Sequence, residues 1–407
     1  MVRVIVLLAV LAFLAWPRMV GAREIKSDVA SVVKSDNAFG LALYEKLRDS
    51  KGNLFFSPYS ISTALAMTSA GAKGQTLEEM SKTLQFSLDQ TKLSPAFNQL
   101  IQSLNGDPKA RKYQLNTANA LWCQKGYGFE PDFLKLTEKD YHAGLKQVNF
   151  ADDPEKSRQE INHWVEEQTK DKIKELLKPM MITGDTRLVL TNAIYFKASW
   201  LKPFNDKATK EEDFVVGDGK KIANVPLMHH YQECLYTEGD EFQLLQLPYE
   251  GSQLEMVIVL PKMVDGLADL EKQLTQENLE KWRSKATTHQ VTITLPKFKV
   301  TAEFELSNIL SKMGMPTAFS KEADFSGITK DEKLAISYVV HKAFVEIDEK
   351  GTQAAAATGV VLARPSAVQA EKPRANFRAD HPFIYLIRDV TTGSTLFIGR
   401  LVDPKAK

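Results

Sequence analysis

The sequence predicts an α+β fold with large, mostly antiparallel sheets. Amphipathic helical patterns dominate its first half, and short β-rich runs separated by Gly, Pro and Asn dominate its second half. The chain has 407 residues with no internal repeat and no evident linker, which is enough to bury a large core. We therefore expect a single domain over residues 23–407, preceded by an N-terminal segment of a different kind.

Residues 1–22 have the pattern of a secretory signal peptide. Arg3 supplies a positive start, residues 4–14 form an apolar run, and Val20-Gly21-Ala22 places small residues at a cleavage site. The apolar run is shorter than the ~20 residues that a membrane-spanning helix needs. An uncleaved anchor or a buried core helix is the alternative. The pattern favours secretion, so we expect an extracellular protein that begins near Arg23.

Several helix signals occur in the first half of the chain. Residues 36–47 carry apolar residues at helical spacing, and residues 60–68 follow a Ser-Pro pair suited to a helix start. A Thr at 76 with a Glu at 79 is typical of a capping box and predicts a helix over 76–83. Residues 158–177 mix charges with apolar residues at helical spacing, which predicts one amphipathic helix or a pair.

The predicted strands lie between and after these helices. The run at 187–196 is β-rich and long enough for a central strand of a sheet. Further strands are predicted at 243–248, 254–260, 290–295, 338–347, 383–387 and 394–398.

Charge and motifs narrow the possible functions. Lys and Arg number 52 against 51 Asp and Glu, so nothing in the balance requires nucleic acid or a membrane as a partner. The sequence has no Gly-x-Ser-x-Gly elbow and no His-Glu-x-x-His motif. Hydrolase and zinc-protease interpretations therefore lack support, and we predict a protein that is not an enzyme and has no catalytic residue, metal or cofactor. An enzyme on an unrelated fold is the disfavoured alternative. Cys123 and Cys234 allow at most one disulfide, and the apolar surroundings of Cys123 favour a buried free thiol.

Residues 349–376 do not fit a resting core. From Thr352 to Ala363 this stretch has no charge on either face of an extended chain. The first proline is Pro365, so residues 351–364 can all donate a sheet hydrogen bond. A flexible Ala-rich linker or a short helix is the alternative. The pattern is typical of an exposed segment that is able to become a central strand.

Blocks in the same order along the chain resemble the serpin family. They are Asn53-Leu54-Phe55-Phe56-Ser57-Pro58-Tyr59-Ser60-Ile61, Thr191-Asn192-Ala193-Ile194-Tyr195-Phe196-Lys197-Ala198-Ser199-Trp200, Glu349-Lys350-Gly351-Thr352 with residues 354–357, and residues 377–384 with Phe397-Ile398-Gly399-Arg400. The resemblance implies the serpin fold, with three β-sheets, eight or nine helices and an exposed reactive-centre loop at about 349–376.

The resemblance also implies a serine protease inhibitor that acts as a suicide substrate. The target protease cuts the loop and forms an acyl-enzyme, and the freed loop inserts into the main sheet and traps the protease in a covalent complex. The implied hinge residues are Glu349, Gly351, Thr352, Ala354, Ala355, Ala356, Ala357 and Thr358. They are small or uncharged after Lys350, which favours insertion. A non-inhibitory serpin with a carrier, chaperone or storage role is the alternative.

The reactive bond is less well defined by the sequence. Counting from the hinge places it at Pro365–Ser366, and a loop one residue shorter places it at Arg364–Pro365. Elastase-like cleavage at Ala363 is a third possibility. The awkward proline is the best support for the non-inhibitory alternative.

Other positions are assigned by their match to family motifs. A hydrogen-bonded cluster where the strands part is suggested by Ser57, Ser60, Asn192 and His341. Trp200 and Glu349 resemble residues where the loop enters the sheet. We expect sheet opening to be controlled by the four residues of the cluster together with Trp200. The basic residues Lys109, Arg111 and Lys112 could bind a sulfated polysaccharide, as in some serpins, although a solvated charge cluster is the favoured alternative. We expect a monomer whose partner is a serine protease.

Overall fold

A computed structural model of the chain describes residues 27–106, 111–216, 219–352 and 372–406. The predicted signal peptide, Lys109, the hinge beyond Thr352 and the candidate reactive bonds at residues 363–366 lie outside the described residues. Within the described ranges, no helix is long and apolar enough to cross a membrane.

The α-helices of the described residues come mainly from the first half of the chain. They are α1 Ser27–Leu47, α2 Pro58–Ser69, α3 Gly74–Thr83, α4 Gln90–Asn105, α5 Pro131–Tyr141, α6 Pro154–Gln168, α7 Leu267–Lys272, α8 Gln276–Ser284 and α9 Ser307–Met313. The start of α2 follows directly from its sequence, because the Ser57 side chain accepts a hydrogen bond from the Ser60 amide and Pro58 occupies the first turn.

Two helix predictions are wrong in detail. The capping box at Thr76 does not form: α3 begins at Gly74, and the Thr76 hydroxyl accepts instead from the Asp324 amide at 2.9 Å. The pattern over 158–177 is not helical throughout, because α6 ends at Gln168 and the backbone then takes positive φ at Lys170 and Asp171. The apolar residues of the later part are still buried, so the periodicity reported burial and not a continued helix.

The strands of the described residues lie mostly in the second half of the chain. They are β1 Leu54–Phe56, β2 Tyr113–Gln124, β3 Leu145–Val148, β4 Leu188–Ser199, β5 Lys210–Val215, β6 Lys221–Glu238, β7 Phe242–Pro248, β8 Leu254–Pro261, β9 Thr287–Pro296, β10 Phe298–Glu305, β11 Tyr338–Asp348, β12 Gly351–Thr352, β13 Arg374–Arg378, β14 Phe383–Asp389 and β15 Thr395–Leu401.

Strand pairing joins the described strands into two sheets. A nine-stranded sheet runs β1-β15-β14-β8-β7-β6-β9-β13 with β5 on β6, and a six-stranded sheet runs β10-β11-β12-β4-β2-β3. Three sheets were expected; the long strand β6 joins two of them, because it pairs with β5 near its start and with β7 at its end. Most pairs are antiparallel, as predicted, but β4 and β11 run parallel at the centre of the six-stranded sheet.

The hydrophobic core has two parts. The larger part lies between the two sheets and α1, α2 and α4, and includes Phe55, Phe196 and Phe397. A smaller part lies between the other face of the six-stranded sheet and α6, and includes Trp122 and Phe344. The six-stranded sheet is therefore covered on both faces near β4 and β11, so a strand added there would be shielded from water.

Candidate functional site

The hinge of the predicted loop lies at the end of the seam between β4 and β11. Residues 338–344 of β11 pair in parallel with residues 189–195 of β4. Beyond this pairing β12 lies between them, and Thr352 faces Ile347 on one side and Ala198 on the other. The strand β12 is antiparallel to both neighbours. Two residues of the predicted loop segment are thus paired with both β4 and β11.

Gly351 is required by close packing at the start of β12. Its φ is +149°, and a Cβ atom at this position would lie 2.2 Å from the Ala198 carbonyl oxygen and 2.7 Å from the Ser199 Cα. The preceding turn is shaped by Asp348, whose Oδ1 accepts from the amides of Lys350 at 2.8 Å and Gly351 at 3.1 Å. Only glycine fits this position without moving the neighbouring strand.

Thr352 is fully buried and polar contacts hold it. Its hydroxyl lies 2.7 Å from the hydroxyl of Tyr249. The Tyr249 ring stacks on Trp200 with 4.6 Å between the ring centroids, and burial raises the pKa of the Tyr249 hydroxyl. The Trp200 indole N–H donates to the Asp348 carbonyl at 3.0 Å. The hinge therefore packs against the stacked rings of Tyr249 and Trp200.

Glu349 anchors the turn before β12. Its carboxylate lies 2.8 Å from the Lys297 ammonium and accepts from the Thr209 hydroxyl at 2.7 Å. Burial alone would raise the pKa of Glu349, but the hydrogen bonds from Lys297 and Thr209 outweigh it and lower this pKa. The carboxylate is therefore charged at neutral pH. The backbone of the same turn accepts from the amides of Trp200 and Phe204, each at 2.8 Å.

A buried polar network lies deeper along the seam, beneath β4 and β11. The Ser57 amide donates to Nε2 of His341 at 3.1 Å, and Nδ1 of His341 contacts Oδ1 of Asn192. Nδ2 of Asn192 then donates to the Ser60 hydroxyl at 2.7 Å and to Oδ1 of Asn119 at 2.6 Å. The network thus connects α2 with three strands of the six-stranded sheet.

The geometry fixes the protonation state of His341. Because the Ser57 amide is a donor, Nε2 must accept, so the single ring proton is on Nδ1 and points to Asn192. Complete burial lowers the pKa of His341 to about 3, and the hydrogen bond with Asn192 only partly opposes this shift. The ring is neutral, and a second proton would face the Ser57 N–H.

The structure places Trp200 apart from the other residues that were predicted to control sheet opening. Ser57, Ser60, Asn192 and His341 meet in the buried network, whereas Trp200 packs with Tyr249 at the hinge. The basic residues Arg111 and Lys112 already have partners: the Arg111 guanidinium lies over the Tyr113 ring at 5.2 Å, and Lys112 lies 3.8 Å from Glu250.

Asn119, Tyr249 and Lys297 were missed by the sequence reasoning. Asn119 is the one with a usable signal, since it is an amide in the otherwise apolar run 118–123 of β2 and lies directly opposite Asn192. Cys123 and Cys234 are both buried free thiols, and burial raises the pKa of Cys234 to about 12. No group of three or more potential metal ligands occurs among the described residues.

These features define a class of protein in which a short strand, β12, starts between two strands that are parallel neighbours further along the sheet. The chain belongs to the serpin family: it matches the family model Serpin (serine protease inhibitor) over residues 34–404. Members of this family are mostly protease inhibitors and not enzymes.

Individual relatives agree with this assignment. A serpin-like protein of Thermococcus kodakarensis is 42% identical over 375 residues, which are 92% of this chain and 86% of that protein. A leukocyte elastase inhibitor of Bos taurus is 41% identical over 363 residues, 87% of this chain and 93% of that protein. The crystal structure of human thyroxine-binding globulin has a TM-score of 0.84 at 32% identity and covers 93% of this chain and 100% of its own.

Proposed function

We propose that this protein inhibits a serine protease as a suicide substrate. The observation that carries the proposal is the position of β12, because Gly351 and Thr352 already occupy the first places of a strand between β4 and β11. Beyond them, β4 and β11 are parallel neighbours. A strand that continued from β12 would have to separate this pair and would then hydrogen-bond to both of them.

The proposed trap follows from the chemistry of the cut. The protease serine attacks the loop carbonyl, the peptide bond breaks, and the protease stays attached through an ester to the hinge side of the loop. The freed hinge side then inserts into the seam and carries the protease with it. Displacement of catalytic groups by ~1 Å can slow a reaction ~100-fold, so hydrolysis of the ester stalls.

The test is incubation with trypsin, chymotrypsin and elastase, followed by denaturing gel electrophoresis. An inhibitor gives a band at the summed mass that survives denaturation. Release of a cleaved chain alone, with none of these proteases retained, would contradict the proposal. Mass spectrometry of the C-terminal fragment would decide between cleavage at Arg364–Pro365 and at Pro365–Ser366.

We also propose that the protein is secreted, on the strength of the N-terminal 22 residues. N-terminal sequencing of protein recovered from the medium of expressing cells should begin near Arg23. Retention in cells with an intact first residue would contradict secretion.

A carrier role is the second candidate, and a cavity favours it. The cavity has a volume of about 480 Å³ between α1, α8, β14 and β15 and is lined by three cations (Lys34, Arg283 and Arg388), by one carboxylate (Glu280) and by uncharged polar and apolar residues. Nε of Arg283 is buried without a partner, and Arg283 and Arg388 share one carboxylate oxygen of Glu255 at 3.0 Å each. Such a cavity suits an amphipathic organic anion, and thyroxine-binding globulin has been solved in complex with thyroxine.

Thyroxine is therefore the probe for the carrier role. Saturable binding that Arg283→Leu weakens, together with absence of a covalent protease complex, would favour the carrier over the inhibitor.

A further inference from the structure

An ion pair holds the C-terminal foot of the reactive-loop region to the sheet. Lys372 is the first described residue after the segment 353–371, and its ammonium lies 2.6 Å from Oε2 of Glu233 on β6. The next residue, Pro373, accepts a hydrogen bond from the Gln290 amide of β9 at 2.9 Å. The chain is thus fixed by a side chain and by its backbone immediately before β13 begins.

The two partners of this ion pair are not on neighbouring strands. In the sheet β13 pairs with β9 and β9 pairs with β6, so that Arg374 faces Gln290 and Gln290 faces Glu233. Two strand spacings amount to about 10 Å, so the Lys372 side chain must lean across β9 to reach its partner. The ion pair therefore connects the foot of the loop region to a strand beyond its immediate neighbour.

The surroundings of Glu233 leave this contact open to solvent and to a protein partner. Tyr231 and Leu235 lie two residues before and after Glu233 and so share its face of the strand, with 57% and 41% of their surface exposed. The side chains of Lys372 and Glu233 are 31% and 37% exposed. An ion pair this exposed contributes little to the stability of the fold, so its effect should be on the position of the foot.

We propose that Glu233 is a positioning residue for the reactive loop: it holds Lys372 and thereby orients the loop for attack by the protease. This inference rests on the proposed inhibitory function. Only a few residues separate the candidate reactive bond at residues 364–366 from Lys372, so the place where the foot is fixed limits where the bond can be presented. Loss of the ion pair leaves more arrangements open to the loop and lowers the fraction that a protease can use.

The test uses charge exchange between the two partners. The variants Glu233→Lys and Lys372→Glu each place like charges together and should slow formation of the covalent complex about two- to fivefold, the range for exposed ion pairs. The double variant should restore most of the wild-type rate. High salt should slow the wild type toward the rate of the single variants. It should slow the double variant to a similar degree, because the reversed ion pair is screened in the same way.

Asp213→Lys is the matched control. It breaks the ion pair of Asp213 with Lys221 in the same sheet, 3.2 Å long, and changes the net charge by the same amount. This variant should keep the wild-type rate. If it slows the reaction equally, or if the double variant is as slow as the slower single variant, Glu233 does not act through Lys372 and the proposal is overturned.

A second readout separates this proposal from the inhibitory function itself. Amide hydrogen exchange of the peptide that contains residues 372–376 should speed up in each single variant and return toward wild type in the double variant. Absence of any covalent complex from the wild type would refute the inhibitory function, and the exchange data would still test the ion pair. Unchanged exchange in both single variants would overturn the proposed anchor.

Discussion

The hydroxyl oxygens of Thr352 and Tyr249 lie 2.7 Å apart in the buried space between β4 and β11. Thr352 has no exposed surface, and its partners on the two adjacent strands are Ala198 and Ile347. The hinge is therefore held inside the sheet by a polar bond as well as by packing. A longer or charged side chain at this position would have to displace Tyr249 or leave the sheet.

Under the proposed function, Thr352→Arg should convert the protein from an inhibitor into a substrate. A guanidinium in this space would lose its hydration without a charged partner, at a cost of several kcal/mol. The arginine would leave the sheet in the intact protein and would have to return to it when the loop inserts. Because each 1.4 kcal/mol changes a rate about tenfold, insertion should then slow at least about tenfold. The measurement is the number of inhibitor molecules consumed per protease inactivated.

Thr352→Ser is the control for this experiment. It keeps the hydroxyl that meets Tyr249 and should behave like the wild type. An undiminished yield of covalent complex from Thr352→Arg would show that loop insertion does not require an uncharged side chain at this position.

Among the described residues, the seven strands predicted from the sequence are found as β4, β7, β8, β9, β11, β14 and β15. The other eight strands, with the long β6 among them, and the order in which the strands pair were not predicted. The central run at 187–196 is found as β4, since a long β-branched and apolar stretch has few other stable environments. The capping box at Thr76 was misread because its hydroxyl is used by Asp324, a partner 248 residues away that a local pattern cannot reveal. Such long-range hydrogen bonds decide where helices begin as much as local propensity does.

The residues of the candidate site were likewise predictable only in part. The resemblance to a family located His341 and Asn192, and the structure connects them directly. Asn119 was not found, because an isolated amide in a strand acquires its role only from the residue opposite to it. The position of Trp200 beside the hinge, and not in the buried network, likewise depends on its stacking with Tyr249.

The stability of the intact protein should rise with pH through the weakly acidic range because of His341. Its pKa is about 3 in the folded protein and near 6.5 when unfolded, so the unfolded chain binds the extra proton between these values. The free energy of unfolding should therefore fall by up to about 1.4 kcal/mol for each pH unit from about 6.5 down toward 3. Urea unfolding at pH 7, 6 and 5 measures this slope.

The variant His341→Gln isolates this contribution from the other titrating groups. It should be less stable at pH 7, because glutamine cannot both accept from Ser57 and donate to Asn192 in the same way, but its stability should depend less on pH. Equal slopes for the wild type and the variant would show that His341 is not kept neutral by the fold.

The ion pair between Glu349 and Lys297 should stabilise the turn before β12. Glu349→Gln removes the charge and keeps a partner for Thr209, and we expect it to lower the free energy of unfolding by about 1 kcal/mol, since Lys297 is partly exposed. Lys297→Met should cost a similar amount. The double variant should cost less than the two together, which a double-mutant cycle by urea unfolding measures.

The ion pair between Glu349 and Lys297 also makes the stability of the protein depend on pH. The pKa of Glu349 is lowered in the folded protein, so its contribution is complete above the unfolded pKa near 4.3 and is lost as the pH falls through the folded value. If the costs of Glu349→Gln and Lys297→Met simply add in the double-mutant cycle at neutral pH, the two side chains do not stabilise each other.

Cleavage near residue 365 should make the protein much more resistant to heat. The stretch from 353 to 362 has no charge and no proline, so about ten residues can continue from β12 between β4 and β11. At about 1 kcal/mol net for each new hydrogen bond, the gain is on the order of 10 kcal/mol, which for a chain of this length corresponds to a rise in Tm of about 12 °C. Calorimetry of intact and nicked protein measures this rise in Tm. The nicked variant Thr352→Arg carries a charge at this position and should melt much closer to the intact form. Equal melting temperatures for intact and nicked wild-type protein would mean that the seam between β4 and β11 does not admit the loop.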